Sequence, residues 1–550
     1  VRFHIKTMMK FKAIIYFFCV AFLFFHESLY AQQPVDTATK KKIIILNAER
    51  LNYQKIDSAE FQSAAGKVII RQDATLFYGD SIVLNKTKNM LEAFGHVHIN
   101  DNDSIDTYSD YLRYFGNDKK AYLKGNVKLT DGKGVLTTPD LDYDLNTHIG
   151  IYTKTGKVVS DKTVLTSTEG FYYGETKDVY FKKNVVMVNP DYTVTTDTLL
   201  FNTYTNVATF TVPTLIKSGD KRKIYTSDGY YDLTNKKSYF GKRPHIEDST
   251  TILDADQVAS NDTTKESEAN GNVVYRDTAQ GVTIFSNNLK SNGIQSSFLA
   301  TQKPVMVIKQ DNDSTFIAAD TFFSAKLSNL RKYRTIPEIL DSLPSQDSIV
   351  IADSAKAKQD SAKDRFVEAY FNVKIFSDSL QAVGDSLFYS SEDSAFRLFK
   401  DPVVWSQESQ ISGDTIYLFT LNKKPKRMYV FENAISVQKV GADYYNQVKG
   451  RTINGFFVNG DVDYVRAKGN AESIYYAQDD SSKFIGVNQA TADVIDMYFA
   501  NKQADKVIFR SNLVGTSYPM RQMDPSTMRL RSFKWLDDRR PKTKYDLFGN

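Results

Sequence analysis

Cysteine is all but missing from this chain of 550 residues: the single example, Cys19, lies in an apolar run near the N-terminus. If that run is removed after Ala31, no thiol remains, and disulfides and thiolate metal sites are excluded. Histidine is scarce, and beyond residue 31 only His96, His98, His148 and His245 are left. Charge of one sign is also lacking. The 70 basic and 65 acidic residues leave +5, well short of the basic excess of a nucleic-acid binder. Proline (13) and glycine (27) are modest, which excludes collagen-like and broadly disordered chains. No segment after Phe25 has the roughly eighteen consecutive apolar residues of a membrane-spanning helix. No phosphate-binding loop, dinucleotide fingerprint, Gly-x-Ser-x-Gly elbow or His-Glu-x-x-His run occurs. The expectation is a binding protein, not an enzyme, with no cofactor and no metal.

What is present begins with an export signal. Lys10 and Lys12 precede the apolar run Ala13 to Phe25, and Leu29-Tyr30-Ala31 supplies a small-residue cleavage site. Residues 1–31 therefore read as a signal peptide, with a retained signal anchor as the alternative.

Beyond it, two phrases recur about every thirty residues. One is Gly66-Lys67-Val68-Ile69-Ile70, Gly95-His96-Val97-His98-Ile99, Gly125-Asn126-Val127-Lys128-Leu129, Lys183-Asn184-Val185 and Gly271-Asn272-Val273. The other is Asp80-Ser81-Ile82-Val83-Leu84, Asp110-Tyr111-Leu112-Arg113-Tyr114, Asp197-Thr198-Leu199-Leu200-Phe201, Asp385-Ser386-Leu387 and Asp414-Thr415-Ile416. A fixed period of this length marks stacked supersecondary units. Alternation within each phrase is strand-like. The polar links between phrases, such as Asn85-Lys86-Thr87-Lys88-Asn89, are hairpin connectors. Antiparallel neighbours follow, with about three strands of five or six residues per unit; a parallel β-helix is the runner-up. The glycines suit bulges or positive-φ turns. The aspartates suit turn-setting bonds to nearby backbone amides better than calcium sites. His96 and His98 share a strand face, but His96 fills a slot held elsewhere by asparagine, so a turn role outweighs a metal.

Two stretches break the pattern. Residues 329–368 are charged and poor in β-branched side chains, as in Ser354-Ala355-Lys356-Ala357-Lys358, and read as a helical or flexible insert. Residues 516–550 form a basic tail with Trp535, read as a solvated, poorly ordered end.

In register, the phrases resemble the OstA-like family of lipopolysaccharide transport. The likeness is good over about 45–325 and looser over 370–515. It implies an all-β, elongated, antiparallel jellyroll, open and V-shaped, built from roughly 30-residue repeats. The organisation is then 1–31 signal peptide, 32–328 OstA-like repeats, 329–368 insert, 369–515 second OstA-like β segment and 516–550 tail. The resemblance implies a periplasmic bridge, with association at the outer membrane, that carries lipopolysaccharide along an apolar groove. Its partners would be lipopolysaccharide acyl chains, other Lpt-type jellyroll proteins joined edge to edge, and the outer-membrane translocon. Groove-facing positions would be Val68, Ile70, Ile82, Leu84, Val97, Ile99, Leu112, Val127, Leu129 and Leu199. The alternative is a structural or adhesive β-repeat protein with a filled core and no lipid. A carboxylate ladder of Asp80, Asp110 and Asp140 serving a polysaccharide-acting enzyme ranks last, because no unit is distinguished.

Overall fold

The computed structural model describes residues 42–548 except 102–103, 310–313, 336–363, 422–423, 459–460, 480 and 501–502, and the side chains of 503–504. The expected signal peptide and residues 336–363 of the expected insert lie outside the described residues. What is described is almost entirely strand, with one short α-helix at Leu327–Leu330. It divides into two compact units, Val1–Leu123 and Lys124–Asn550. Both are ladders of antiparallel hairpins, so the parallel β-helix falls away.

The recurring phrases create one bend, repeated. Strand Ala59–Gln72 pairs through Phe61–Ala65 with Ser81–Asn85, and through Val68–Gln72 with Thr75–Gly79. Between these halves Gly66 and Lys67 together face Asp80 alone. The same two-against-one register sets Gly95-His96 opposite Asp110, Lys183-Asn184 opposite Asp197, and Phe371-Asn372 opposite Asp385. These are β-bulges, which kink a strand without ending its ladder. Apart from Phe371, their residues sit in the left-handed region: Gly95 at φ 70° and His96 at 42°, Gly271 at 75° and Asn272 at 44°. Glycine and asparagine enter that region most readily. The two recurring phrases are thus the two sides of one bulge. Several bulges are also tied to an earlier aspartate. The Asn272 side-chain amide donates to Asp256 at 2.8 Å, Asn433 to Asp414 at 3.1 Å, and Asn512 to Asp493 at 2.9 Å. A side-chain donor takes the place of the expected backbone amide.

The bend splits each long strand between two facing layers. Layer one holds the halves before the bulge together with the partner-strand halves after the aspartate, and layer two holds the remaining halves. Leu91, Ala93, Val97 and Ile99, on strand Met90–Asp101, are each at most 1% exposed, so the inward face is continuous through the kink. Across the gap, the rings of Phe77 and Tyr114 lie 4.6 Å apart. Each such buried side chain contributes about 1.5–3 kcal/mol. Strand length is where expectation and structure differ. Strand Ala59–Gln72 has 14 residues and Asp461–Gln478 has 18. In sequence a bulge resembles a break, although pairing resumes directly after it.

The basic tail is a second difference. From Met528 onward the chain runs back over the outer face of layer two. Cross-strand register places Gln447, Val437, Gln410, Trp405 and Gln381 in one row on that face. The three glutamines are buried and grip the tail. Gln447 donates to the Met528 carbonyl at 2.9 Å and accepts from the Leu530 amide at 2.8 Å. Gln410 donates to the Lys534 carbonyl at 2.9 Å and accepts from the Leu536 amide at 2.8 Å. Gln381 accepts from Arg540 at 2.6 Å. Between these clamps Met528 and Leu530 pack on Ile474 and Tyr476, Phe533 and Trp535 on Ile435 and Tyr445, and Leu536 on Val383 and Trp405.

Two outcomes test this account. Gly271→Ala costs more than Gly132→Ala in urea unfolding. Both residues have positive φ, at about 1–2 kcal/mol for a non-glycine residue, but a Cβ on Gly271 meets the Asp256 carboxylate at 2.4 Å while Gly132 has nothing within 4 Å. Gln447→Ala strands the Met528 and Leu530 backbone groups, costs about 1–3 kcal/mol, and exposes the tail to limited proteolysis ahead of the strands.

Candidate site between the layers

The ten sequence-predicted groove positions all face inward. Val68, Ile70, Ile82, Leu84, Val97, Ile99, Leu112, Val127, Leu129 and Leu199 are between 0 and 2% exposed. In each unit these side chains are packed by the chain's own side chains and closed to water. The predicted aspartates lie on the bulges, and His96 bonds the Asp80 carboxylate at 2.8 Å. His98 stacks between Tyr78 and Tyr108. No group of three metal-binding side chains forms among the described residues.

Polar bridges then link the hairpin rims of the two layers. In the first unit, the Tyr114 hydroxyl donates to the Gln72 carbonyl oxygen at 2.6 Å, and the Gln72 amide donates to the Gly116 carbonyl at 3.0 Å. Lys119 pairs with Asp73 at 2.7 Å. In the second unit, Asp131 accepts from the Tyr172 hydroxyl at 2.9 Å and from Thr203 at 3.1 Å. Ser160 donates to Asn206 at 3.3 Å, and Asp262 accepts from both Tyr192 and Tyr231. Burial pushes the Asp131 carboxyl up, but the Gly134 and Lys133 amides and the two hydroxyls more than offset it, leaving it below the usual carboxylate range. Burial likewise raises the Tyr114 and Tyr172 hydroxyls far above their ordinary value, so both stay protonated donors.

Beyond Asp262 no such bridge joins the described residues of the two rims, and there the interior opens. A cavity of about 490 Å³ lies between the layers, with Phe298, Phe322, Leu387 and Leu398 from layer one and Ile284, Met306, Ile317 and Val404 from layer two among its walls. That volume is in the range of ligand sites, roughly 300–1,000 Å³. The ten positions named from the sequence lie outside this segment, which the repeat phrases did not single out. The signal was available: Ser377, Ser379, Ser391 and Ser394 stand at the rims here, in place of the earlier Tyr–Asp pairs.

The clasp at Asp131 sets a pH dependence. Its folded pKa is depressed, so its stabilisation is complete above the unfolded carboxylate value, about 3.9, and is lost as pH falls below it. The stability advantage of the wild type over Asp131→Asn, about 1–2 kcal/mol at neutral pH, therefore shrinks when denaturant melts are repeated from pH 5 down to pH 3.

Residues 40–197 match the family described as OstA-like protein. Among solved structures, LptH, the LptA-homologous periplasmic component of the lipopolysaccharide transport device of Pseudomonas aeruginosa, matches at 17% identity. The match covers 20% of this chain and 81% of that one, with a TM-score of 0.18. No curated protein matches. Over residues 40–197, therefore, this chain is similar to the OstA-like proteins.

Proposed function

We propose that this protein is a lipid-binding component of periplasmic lipopolysaccharide transport, taking acyl chains between its two layers and passing lipid toward the outer membrane. The observation that carries this reading is the apolar cavity that opens where the rim clasps end. Each acyl CH₂ that enters such a space contributes about 0.8 kcal/mol. The OstA-like match supports the transport setting. Partner contacts find support at one sheet edge. Strand Arg50–Ile56 pairs on one side only among the described residues, with Leu51 and Tyr53 more than half exposed. An unpaired edge is a template for another strand, which suits edge-to-edge joining with other Lpt-type jellyrolls and with the outer-membrane translocon. The protein acts by binding rather than catalysis.

A second reading, a structural β-repeat protein with no lipid, is favoured by the closed interior at Val68 to Leu199. Photo-crosslinking in cells separates the two. A photoreactive residue at Leu387 or Ile284 captures lipopolysaccharide, and one at exposed Tyr204 does not. Capture confined to outward positions removes the lipid reading and leaves the structural one. Capture also at Val97, Val127 and Leu199 means the clasped interior opens to lipid as well.

A further inference from the structure

Among the residues that line the cavity there is one carboxylate and one cation. The carboxylate, Asp277, is committed to its own turn: it accepts from the backbone amides of Ala279 at 3.0 Å and Gln280 at 3.1 Å. The cation, Arg365, has only neutral partners among the described residues. Its guanidinium donates to the Ser296 carbonyl at 3.3 Å and to the Ser324 hydroxyl at 3.2 Å. Its backbone is fixed by reciprocal bonds with the Ser391 hydroxyl, at 3.0 and 2.9 Å. A guanidinium carries five N–H donors in a rigid fork. Among the described residues, two neutral oxygens leave most of that fork, and its charge, without an anionic partner. A partly buried cation in that state is costly until an anion joins it.

The walls are built to survive being hollow. Two layers are normally held apart by the side chains packed between them, and a void removes that support. Here support comes from outside. On layer one, Leu327 of the short helix packs on outward-facing Phe366 and Phe388, and Arg334 pairs with Glu368 at 2.6 Å. On layer two, Leu536 packs on Val383, Val403 and Trp405, and Leu547 on Val305 and Ala318. Val404, between Val403 and Trp405, points the other way, into the cavity. Both walls are thus braced over the stretch where the interior is empty.

The geometry points to a preformed site for one single-chain amphiphile with an anionic end. Its alkyl chain lies among Ile284, Phe322, Leu387 and Leu398, and its carboxylate or phosphate is bound by the fork of Arg365, as that fork binds such groups elsewhere. This deepens the lipid reading above by naming the charge that the cavity recognises.

The test is calorimetric titration of the full chain with dodecanoate, dodecyl phosphate and neutral dodecanol below their aggregation limits. One equivalent of either anion binds, at least about tenfold tighter than dodecanol. Octanoate, four CH₂ shorter, binds on the order of a hundredfold more weakly. Arg365→Gln weakens dodecanoate about tenfold or more, leaves dodecanol unchanged, and leaves the melting temperature in place; Arg365→Lys recovers part of the loss. A preference for one anion over the other identifies the head group. Equal wild-type affinities for dodecanoate and dodecanol, or no binding of either anion, overturn the inference without recourse to any variant. Lipopolysaccharide capture at Leu387 without anion preference sinks this inference alone. Anion binding without lipopolysaccharide capture sinks the transport reading alone.

Discussion

The structure depends on one local strain, repeated: two successive residues held at positive φ opposite a single residue of the next strand. Without that pair the long strands would lie flat in one sheet with an exposed apolar face. With it, each strand folds into two layers, and the face bearing Val97 and Ile99 turns toward the face bearing Leu91 and Ala93. The left-handed conformation is affordable because glycine or asparagine recurs at the bend and an aspartate receives the asparagine amide. Everything between the layers, filled or hollow, is a consequence of where these bends fall.

Along the clasped segments the interior has the character of an ordinary sandwich core, with aromatic and aliphatic side chains in contact and tyrosine hydroxyls closing the mouth. From Tyr275 onward the two layers remain but their contents thin out. The change is one of side-chain volume and rim chemistry on a constant scaffold. It lets one repeat architecture provide rigidity in one stretch and capacity in another. The braces outside the hollow stretch, from the Leu327 helix on one side and the tail on the other, fit that division.

Much of the fold was legible because its determinants are local. Positive φ selects glycine and asparagine, and alternation selects the inward face, so Gly95, Asn272, Val127 and Leu129 announce themselves. Three things were not legible, each for a physical reason. Strand length was hidden because a bulge reads as a turn. The clasps were hidden because their partners are distant: Tyr114 and Gln72 are 42 residues apart, Tyr172 and Asp131 41 apart. The tail was hidden by its charge. Arg529, Arg531 and Lys534 set its basic character, while Met528, Leu530, Phe533 and Trp535 between them carry the burial. Arg529 even lies 4.6 Å over the rings of both Tyr445 and Phe533, so a residue that suggested solvent is part of the packing.

The glutamine row has a consequence in time. Strands from Val305 to Gln447 precede Met528 in the chain, so their outer apolar face stands bare until the tail is laid over it. Chains acquire structure from the N-terminal side as they emerge, and a bare apolar sheet face invites association with other chains. Residues 528–548 end that interval by laying the chain across strands already formed. Arrival of the last segment thereby works as a seal on completed synthesis: a chain cut short by a few dozen residues keeps its ladder but stays sticky.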